Sequence, residues 1–340
     1  MFVLRDVQRA DLEELARLAT VLDTVNLPAD KSALEELVEA SCRSFAGRVR
    51  DPLERVYLFV LEDGRTGRLA GTSQIIAMHG TREAPHVFLE VFEREHYSAT
   101  LDRHLKHPVL QIGYNYEGFT EIGGLVVHPD FRGHEKPGKQ LSFVRFLYLA
   151  MHRARFLDRV LAELMPPLTS DGRSVLWDAF GARFTGLSYP EADKLSRQSK
   201  EFIKELFPQG EIYVGLLPPA VQKLIGRVGP ETQGVKRMLE AAGFKYDHRI
   251  DPFDGGPHYS APTADIVLVR EYRRAKVMPE DLERAWDERL VGVERPNARQ
   301  KFRAVRTPCR IDDDKAYLPA PAKELLHLEP GDRIHTIPFA

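Results

Sequence analysis

The chain has 340 residues, 43% hydrophobic and 29% charged, with a formal net charge of −2; this is ample for a sizeable core in two or three domains, with no basic excess pointing to nucleic acid. No apolar run approaches the roughly 18 residues of a membrane span, and Met1-Phe2-Val3-Leu4-Arg5-Asp6 lacks signal-peptide anatomy, so a cytoplasmic protein without a membrane partner is expected. Cys42 and Cys309 lie far apart and outside any CxxC motif, which predicts neither a zinc site nor a disulfide framework.

Phe2-Val3-Leu4-Arg5 reads as a first strand, and Asp11 opens a short amphipathic helix on Leu12, Leu15, Ala16 and Leu18. Ser32 with Glu35 reads as the capping box of a second helix running to Ala46. Val56 to Leu61 is a buried strand, Asp63-Gly64-Arg65-Thr66-Gly67 a turn, and Leu69 to Met78 the return strand. Further strands are expected at Val87 to Val91, Val109 to Tyr114 and Phe119 to Val127. The segment from Gly138 to about Arg153 is apolar nearly all round and predicts a helix buried against the sheet.

Arg159 to Met165 returns as a strand. Helices follow at Ser174 to Phe180, Pro190 to Leu195, Glu201 to Phe207, Pro218 to Gly226 and Glu231 to Ala242, then Gly243-Phe244 and a strand at Ile266 to Arg270. Beyond Met278 a charged helix from Glu280 to Glu288 is expected, and the alternation through Leu325 to Ile334 suggests a small β-barrel-like end.

Between the strand at Leu125-Val126-Val127 and the long helix lies His128-Pro129-Asp130-Phe131-Arg132-Gly133, leading through Lys136-Pro137-Gly138-Lys139. Unpaired N–H groups and the positive end of the helix dipole make such a turn an anion site. It is not a mononucleotide P-loop, because Gln140 stands where GxxxxGK[ST] needs its hydroxyl, and there is no GxGxxG fingerprint. The remaining pattern, apolar-apolar-x-Pro-x-x-Arg-Gly-loop-Gly, resembles the pyrophosphate-binding motif of the GNAT superfamily of N-acyltransferases, which use acyl-CoA.

The wider chain, over about residues 1 to 276, is similar to the arginine N-succinyltransferase family. The resemblance rests on Tyr57 to Asp63, Glu121 with Leu125, Pro129 to Arg132, Gly138 to Ser142, Arg145-Phe146, Trp177, Phe202 to Leu206 and Ile212-Tyr213. Its most specific part is Ile250-Asp251-Pro252-Phe253-Asp254-Gly255-Gly256-Pro257. The implied fold class is α/β (α+β): two acyl-CoA N-acyltransferase-like halves with mixed sheets at 1–160 and 161–276, then a small β-rich C-terminal appendix at 277–340. The implied reaction is succinyl transfer from succinyl-CoA to the α-amine of arginine, in arginine catabolism. Acyl-CoA serves as co-substrate, no cofactor is permanently bound, and the protein forms a homo- or hetero-oligomer.

Amine attack on a thioester needs a base within reach of the ammonium proton. Glu121, four residues before Leu125, stands where the superfamily often places it; the bland alternative is a solvent-facing strand glutamate. Backbone N–H groups of Leu125, Val126 and Val127 would serve the oxyanion and pantetheine, and Arg132, Gly133, Gly138 and Lys139 the pyrophosphate. His128 reads as an exposed turn histidine. Asp251 and Asp254 could pair with a cationic substrate or simply form a turn.

The family departs from this sequence at three places. Its Gln-Val-His-Pro segment, which holds the histidine usually proposed as proton donor, reads Arg227-Val228-Gly229-Pro230 here; its Leu-Thr-Ser-Leu-Pro reads Thr24-Val25-Asn26-Leu27-Pro28; and Gly113 to Thr120 replaces a stretch of His-Thr-Gly character. His258 is a candidate to stand in for the lost histidine. These departures leave open an acyltransferase for another amine or acyl group, or a non-catalytic subunit paired with an active paralogue.

Overall fold

The computed structural model describes all residues except 23–26, 29, 83, 134, 170–171, 197–198, 283–285 and 340. The strands are β1 (Phe2–Asp6), β2 (Val56–Asp63), β3 (Leu69–His79), β4 (His86–Ser98), β5 (Arg103–Asn115), β6 (Phe119–Val127), β7 (Arg159–Glu163) and β8 (Ile212–Tyr213). They continue with β9 (Lys245–Ile250), β10 (Pro257–Pro262), β11 (Arg273–Asp281), β12 (Glu288–Glu294), β13 (Phe302–Pro308), β14 (Arg310–Asp312), β15 (Lys315–Leu318) and β16 (Arg333–Pro338). The long helices are α1 (Leu12–Leu22), α2 (Lys31–Phe45) and α3 (Pro137–Met151).

The chain packs as two compact units interleaved in sequence: Met1–Met78, Thr120–Asp158 and Pro262–Ala340 form the first, His79–Phe119 and Arg159–Ala261 the second. Residues 79–119 therefore go with the second unit and 277–340 with the first, so the units do not follow the boundaries at 160 and 276 drawn from the sequence.

In the first unit the strand order is β14-β15-β11-β16-β12-β13-β1-β2-β3-β6. β1 is a central strand: β2 pairs with one side (Leu4↔Leu61) and β13 with the other (Leu4↔Ala304), both antiparallel. All five of its residues are buried, and the C-terminal strands extend the same sheet through β13. Leu15, Leu18, Leu34 and Val38 of α1 and α2 cover Leu58 and Val60 of β2. α3 is buried along most of its length, as expected, and brings Tyr148 within 4.8 Å of Tyr57 and 5.3 Å of Phe59, ring centre to ring centre.

The second unit has the order β7-β10-β9-β4-β5-β8 and a separate core around Trp177. Trp177 stacks on Phe253 with ring centres 5.0 Å apart, and Ser174 both caps the helical turn at Trp177 and donates its hydroxyl to Phe253 O. Two of the family-like features, Trp177 and the Asp251-to-Pro257 run, are thus packing partners.

Three local expectations are corrected. The cap of α2 is Asp30, whose side chain accepts the Ala33 N–H, not the Ser32–Glu35 box; an aspartate two residues earlier outcompetes it. Ile266 to Arg270 is no strand: a 3-10 turn at Thr263–Asp265 runs into the helical turn Val267–Arg270, and so short an apolar run has no decisive periodicity. The charged helix from Glu280 to Glu288 is likewise replaced at its described ends, where β11 runs to Asp281 and β12 starts at Glu288; 283–285 lie outside the described residues, as do Thr24, Val25, Asn26 and His134.

Candidate active site

In the first unit the chemistry-bearing stretch runs from β6 through a turn into α3. β6 is irregular at Gly124, whose φ is +56°, a left-handed value that suits glycine. A Cβ there would lie 2.9 Å from Gln74 Cγ, so close approach of β3 also requires glycine. The distorted peptides have dedicated partners. Thr72 Oγ1 donates to Gly124 O (3.1 Å), and Arg145 Nη1 donates to Gly123 O (3.3 Å).

Arg145 arrives from α3 and is buried, with its other hydrogen bonds going to Ser142 O and Ser142 Oγ. Burial pushes this guanidinium down to about 9. The partly buried Glu121 has its Oε1 over Gly123, 3.3 Å from where a Cβ would stand, with Gln74 Nε2 3.9 Å from the same point. Glu121 and Gly123 share one face of the strand because side chains alternate with a period of two.

The turn is built by local hydrogen bonds. His128 Nδ1 accepts the Asp130 N–H (3.2 Å), which commits it to the 3-10 turn Pro129–Phe131 as a turn residue. Arg132 Nε reaches back to Val127 O (3.3 Å), while Gly133 takes a φ of +118°, a value that favours glycine. Glu135 and Lys136 take left-handed conformations, and α3 starts at Pro137 without a side-chain cap. Gly138 sits next to Val127, 3.6 Å from its Cγ2 to an added Cβ, so this position tolerates a side chain.

Cations gather at this helix start. Lys139 Nζ lies 5.0 Å from the ring centres of both Phe143 and Phe339, and Arg306 Nη1 donates to Glu135 O (3.2 Å). Burial, with Lys136 and Arg306 nearby, lowers Lys139 below the ordinary lysine range. An anion docked here would relieve that repulsion and meet the positive end of a 15-residue helix. Arg306 was not foreseen, because nothing local in sequence ties β13 to this turn. Arg145 had a visible signal: an arginine inside an otherwise apolar helical run.

The second unit holds the other expected residues. Asp251 Oδ1 accepts the N–H groups of Phe253 (2.7 Å) and Asp254 (3.1 Å), and Asp254 Oδ1 accepts that of Gly256 (2.7 Å). Both carboxylates therefore order the turn, the plainer of the two expectations. Burial and then the charge of Glu163 raise Asp251 to about 7, and burial with Asp251 alongside raises Asp254 well above its usual range.

His258 is fully buried. With no exposed atom it cannot meet a coenzyme sulfur in this conformation, so it is not a proton donor there. It lies instead against His86, ring centres 5.2 Å apart, with its Nε2 3.5 Å from Glu163 Oε1. His86 Nε2 makes a 2.8 Å hydrogen bond to that same oxygen. Burial lowers both imidazoles, His258 to about 3. Sequence reading missed His86 and Glu163, which are isolated residues 77 positions apart.

Gly229 has no room for a histidine. Its N–H donates to Met165 O (2.8 Å), and an added Cβ would lie 2.7 Å from Pro166 O.

The family described as "Arginine N-succinyltransferase beta subunit" matches residues 2–268. The chain belongs to the arginine N-succinyltransferase family. It is 31% identical over 349 residues to the "Arginine N-succinyltransferase" of Yersinia pestis (strain Pestoides F), covering 99% of this chain and 97% of that one. To the Pseudomonas aeruginosa "Arginine N-succinyltransferase subunit alpha" it is 37% identical over 277 residues, 80% of this chain and 81% of that one. The solved structure of arginine/ornithine succinyltransferase subunit AI from Pseudomonas aeruginosa superimposes with a TM-score of 0.84 at 32% identity, covering 100% and 99% of the two chains. The fold is therefore the acyltransferase-like α/β fold of that family, and the protein is an acyltransferase of this family.

Proposed function

We propose that this protein transfers the succinyl group of succinyl-CoA to the α-amine of arginine or a close basic relative, in the cytoplasm, as a step of arginine catabolism. The observation that carries the reading is the uncapped start of α3, ringed by Lys136, Lys139 and Arg306, directly after a strand whose irregularity is held by Arg145. Such a place suits a coenzyme diphosphate on main-chain amides beside an acyl-binding strand. Arg132, Gly133, Gly138 and Lys139 hold the diphosphate, and Leu125, Val126 and Val127 line the pantetheine and acyl carbonyl.

Glu121 accepts the ammonium proton, and the free amine attacks the thioester carbonyl. The C–N bond forms and the C–S bond breaks; the attacking nitrogen gives its second proton to solvent, and the leaving thiolate takes one up from solvent. No covalent enzyme intermediate is needed: Cys309 is buried and Cys42 Sγ donates to Val7 O (3.4 Å), so neither is an exposed nucleophile. Asp251 and Asp254 are the proposed partners of the basic substrate, while their Oδ1 atoms keep the turn in shape. Subunit-named relatives support an oligomeric assembly.

Mass spectrometry of arginine incubated with succinyl-CoA and the purified chain tests the reading, with succinylarginine as the expected product. A panel of other acyl-CoAs and amines in the same assay identifies a different specificity. Glu121→Gln should lower turnover at least tenfold; unchanged turnover removes Glu121 as base. A second reading, a non-catalytic subunit of a heteromeric acyltransferase, is favoured by Gly229, where the family histidine is missing and backbone fills its place. Coenzyme binding without turnover would select it.

A further inference from the structure

We propose that His86, Glu163 and His258 form a binding site for one divalent transition-metal cation of the zinc class. One ligand atom from each residue lies within 4.8 Å of the others. Glu163 Oε1 is the shared point, 2.8 Å from His86 Nε2 and 3.5 Å from His258 Nε2. Bonds of about 2.0–2.1 Å to a tetrahedral ion set its donor atoms roughly 3.3 Å apart, so His86 and Glu163 need open by only about half an ångström. Two imidazoles and one carboxylate suit zinc, cobalt or iron(II), and do not suit magnesium or calcium, which prefer all-oxygen shells.

A second, independent observation points to a ligand. Neither ring nitrogen of the fully buried His258 has a hydrogen-bond partner among the described residues, and His86 Nδ1 has none either. A buried polar group left without a partner is costly, and such orphans are commonly explained by a bound ion or water. The 3.5 Å approach of His258 Nε2 to Glu163 lacks hydrogen-bond geometry, yet it is close to the separation that two ligands of one ion adopt.

The position in the fold favours a rigid site. The three ligands come from β4, β7 and β10, three strands of one sheet. The histidines are closed off, but Glu163 keeps 28% of its side-chain surface exposed. A fourth coordination position can therefore open on the Glu163 side to water or a small ligand. The surrounding charge is mixed. Asp251 and Asp254 are near enough to Glu163 to feel its charge, Lys200 and Arg249 oppose them, and the His79 ring packs edge-on against His86 at 4.9 Å.

The test uses the full chain without a histidine tag, stripped with chelator, loaded with Zn2+ and passed through gel filtration. Metal analysis should find roughly one zinc per chain, as expected for a three-ligand site. Co2+ loading should give visible d–d bands of a low-coordinate nitrogen/oxygen site. His258→Gln, checked for fold by circular dichroism, should weaken Zn2+ affinity at least tenfold. Should that variant fail to fold, Glu163→Gln, at the partly exposed ligand, serves in its place with the same expectation. Absence of retained zinc, a Co2+ spectrum like that of the free aqueous ion, or equal zinc retention by the substituted chain would each overturn the proposal. The cluster would then be a hydrogen-bonded pair and no more.

Discussion

Arg145→Met separates function from stability more cleanly than any other substitution here. The guanidinium is buried on α3, and burial lowers it to about 9 from an ordinary 12.5. At pH 7 it remains charged, and because its folded value is depressed, the charged form destabilises the fold at all pH values below about 9. A displacement of that size corresponds to about 5 kcal/mol. Against this, methionine leaves Gly123 O without its donor, at a cost of about 1–3 kcal/mol, and opens a small void of about 1 kcal/mol. Ser142 Oγ can turn to another acceptor. The sum is a gain of about 1–3 kcal/mol.

Activity should respond in the opposite sense. Without the Arg145 bond, Gly123 is free to rejoin a regular strand, and the backbone proposed to bind the acyl group loses its shape. A tenfold or greater fall in kcat is expected, with guanidinium-chloride denaturation showing equal or higher stability. A variant destabilised by more than about 3 kcal/mol would show that the arginine is chiefly structural and that the charge cost is overstated. Undiminished kcat would show that the Gly123 carbonyl needs no holding.

Other consequences can be measured independently. Lys139→Ala or Arg306→Ala should weaken coenzyme A binding about tenfold by calorimetry and flatten its salt dependence, since each removes a charged donor worth about 1.5–3 kcal/mol. Asp6, buried and accepting N–H groups of Lys301 and Phe302, is raised from 3.8 to about 6. With the folded value above the unfolded one, its contribution is fully present below about pH 4 and is lost as pH rises through about 6. The stability of wild type relative to Asp6→Asn should therefore fall by up to about 3 kcal/mol between those limits, read from denaturation curves. Gly229→His, which restores the family residue type, should destabilise by about 1–3 kcal/mol because its Cβ meets main chain; a variant as stable as wild type would mean the loop yields easily.

The sequence was most legible where one short stretch determines its own structure. The turn from Val127 to α3 could be read because proline, glycine and an apolar helix follow one another in ten residues, and the family-like Asp251-to-Pro257 run because its turn bonds are local. The capping box at Ser32 misled because two residues two positions apart, Asp30 and Ser32, compete for one cap, and Asp30 takes it. The C-terminal strands read as an appendix because alternation identifies a strand without naming its partner; the pairing of β13 with β1 joins residues about 300 apart.

The least legible groups share a single cause. Arg306, His86 and Glu163 acquire chemical meaning only through neighbours supplied by other strands, and none has a local signal of its own. Gly229 shows the converse. Its departure from the family pattern was plain in sequence and suggested that His258 replaces the missing imidazole, but geometry separates the two roles. Gly229 abuts Met165 and Pro166, while His258 follows Pro257, whose carbonyl accepts the Leu164 N–H (3.1 Å). Both thus flank the same end of β7, on which Glu163 stands, and only His258 is turned inward to that carboxylate. The loss at 229 is therefore a closure of backbone, and the imidazole at 258 faces the Glu163 carboxylate rather than the place of the family histidine.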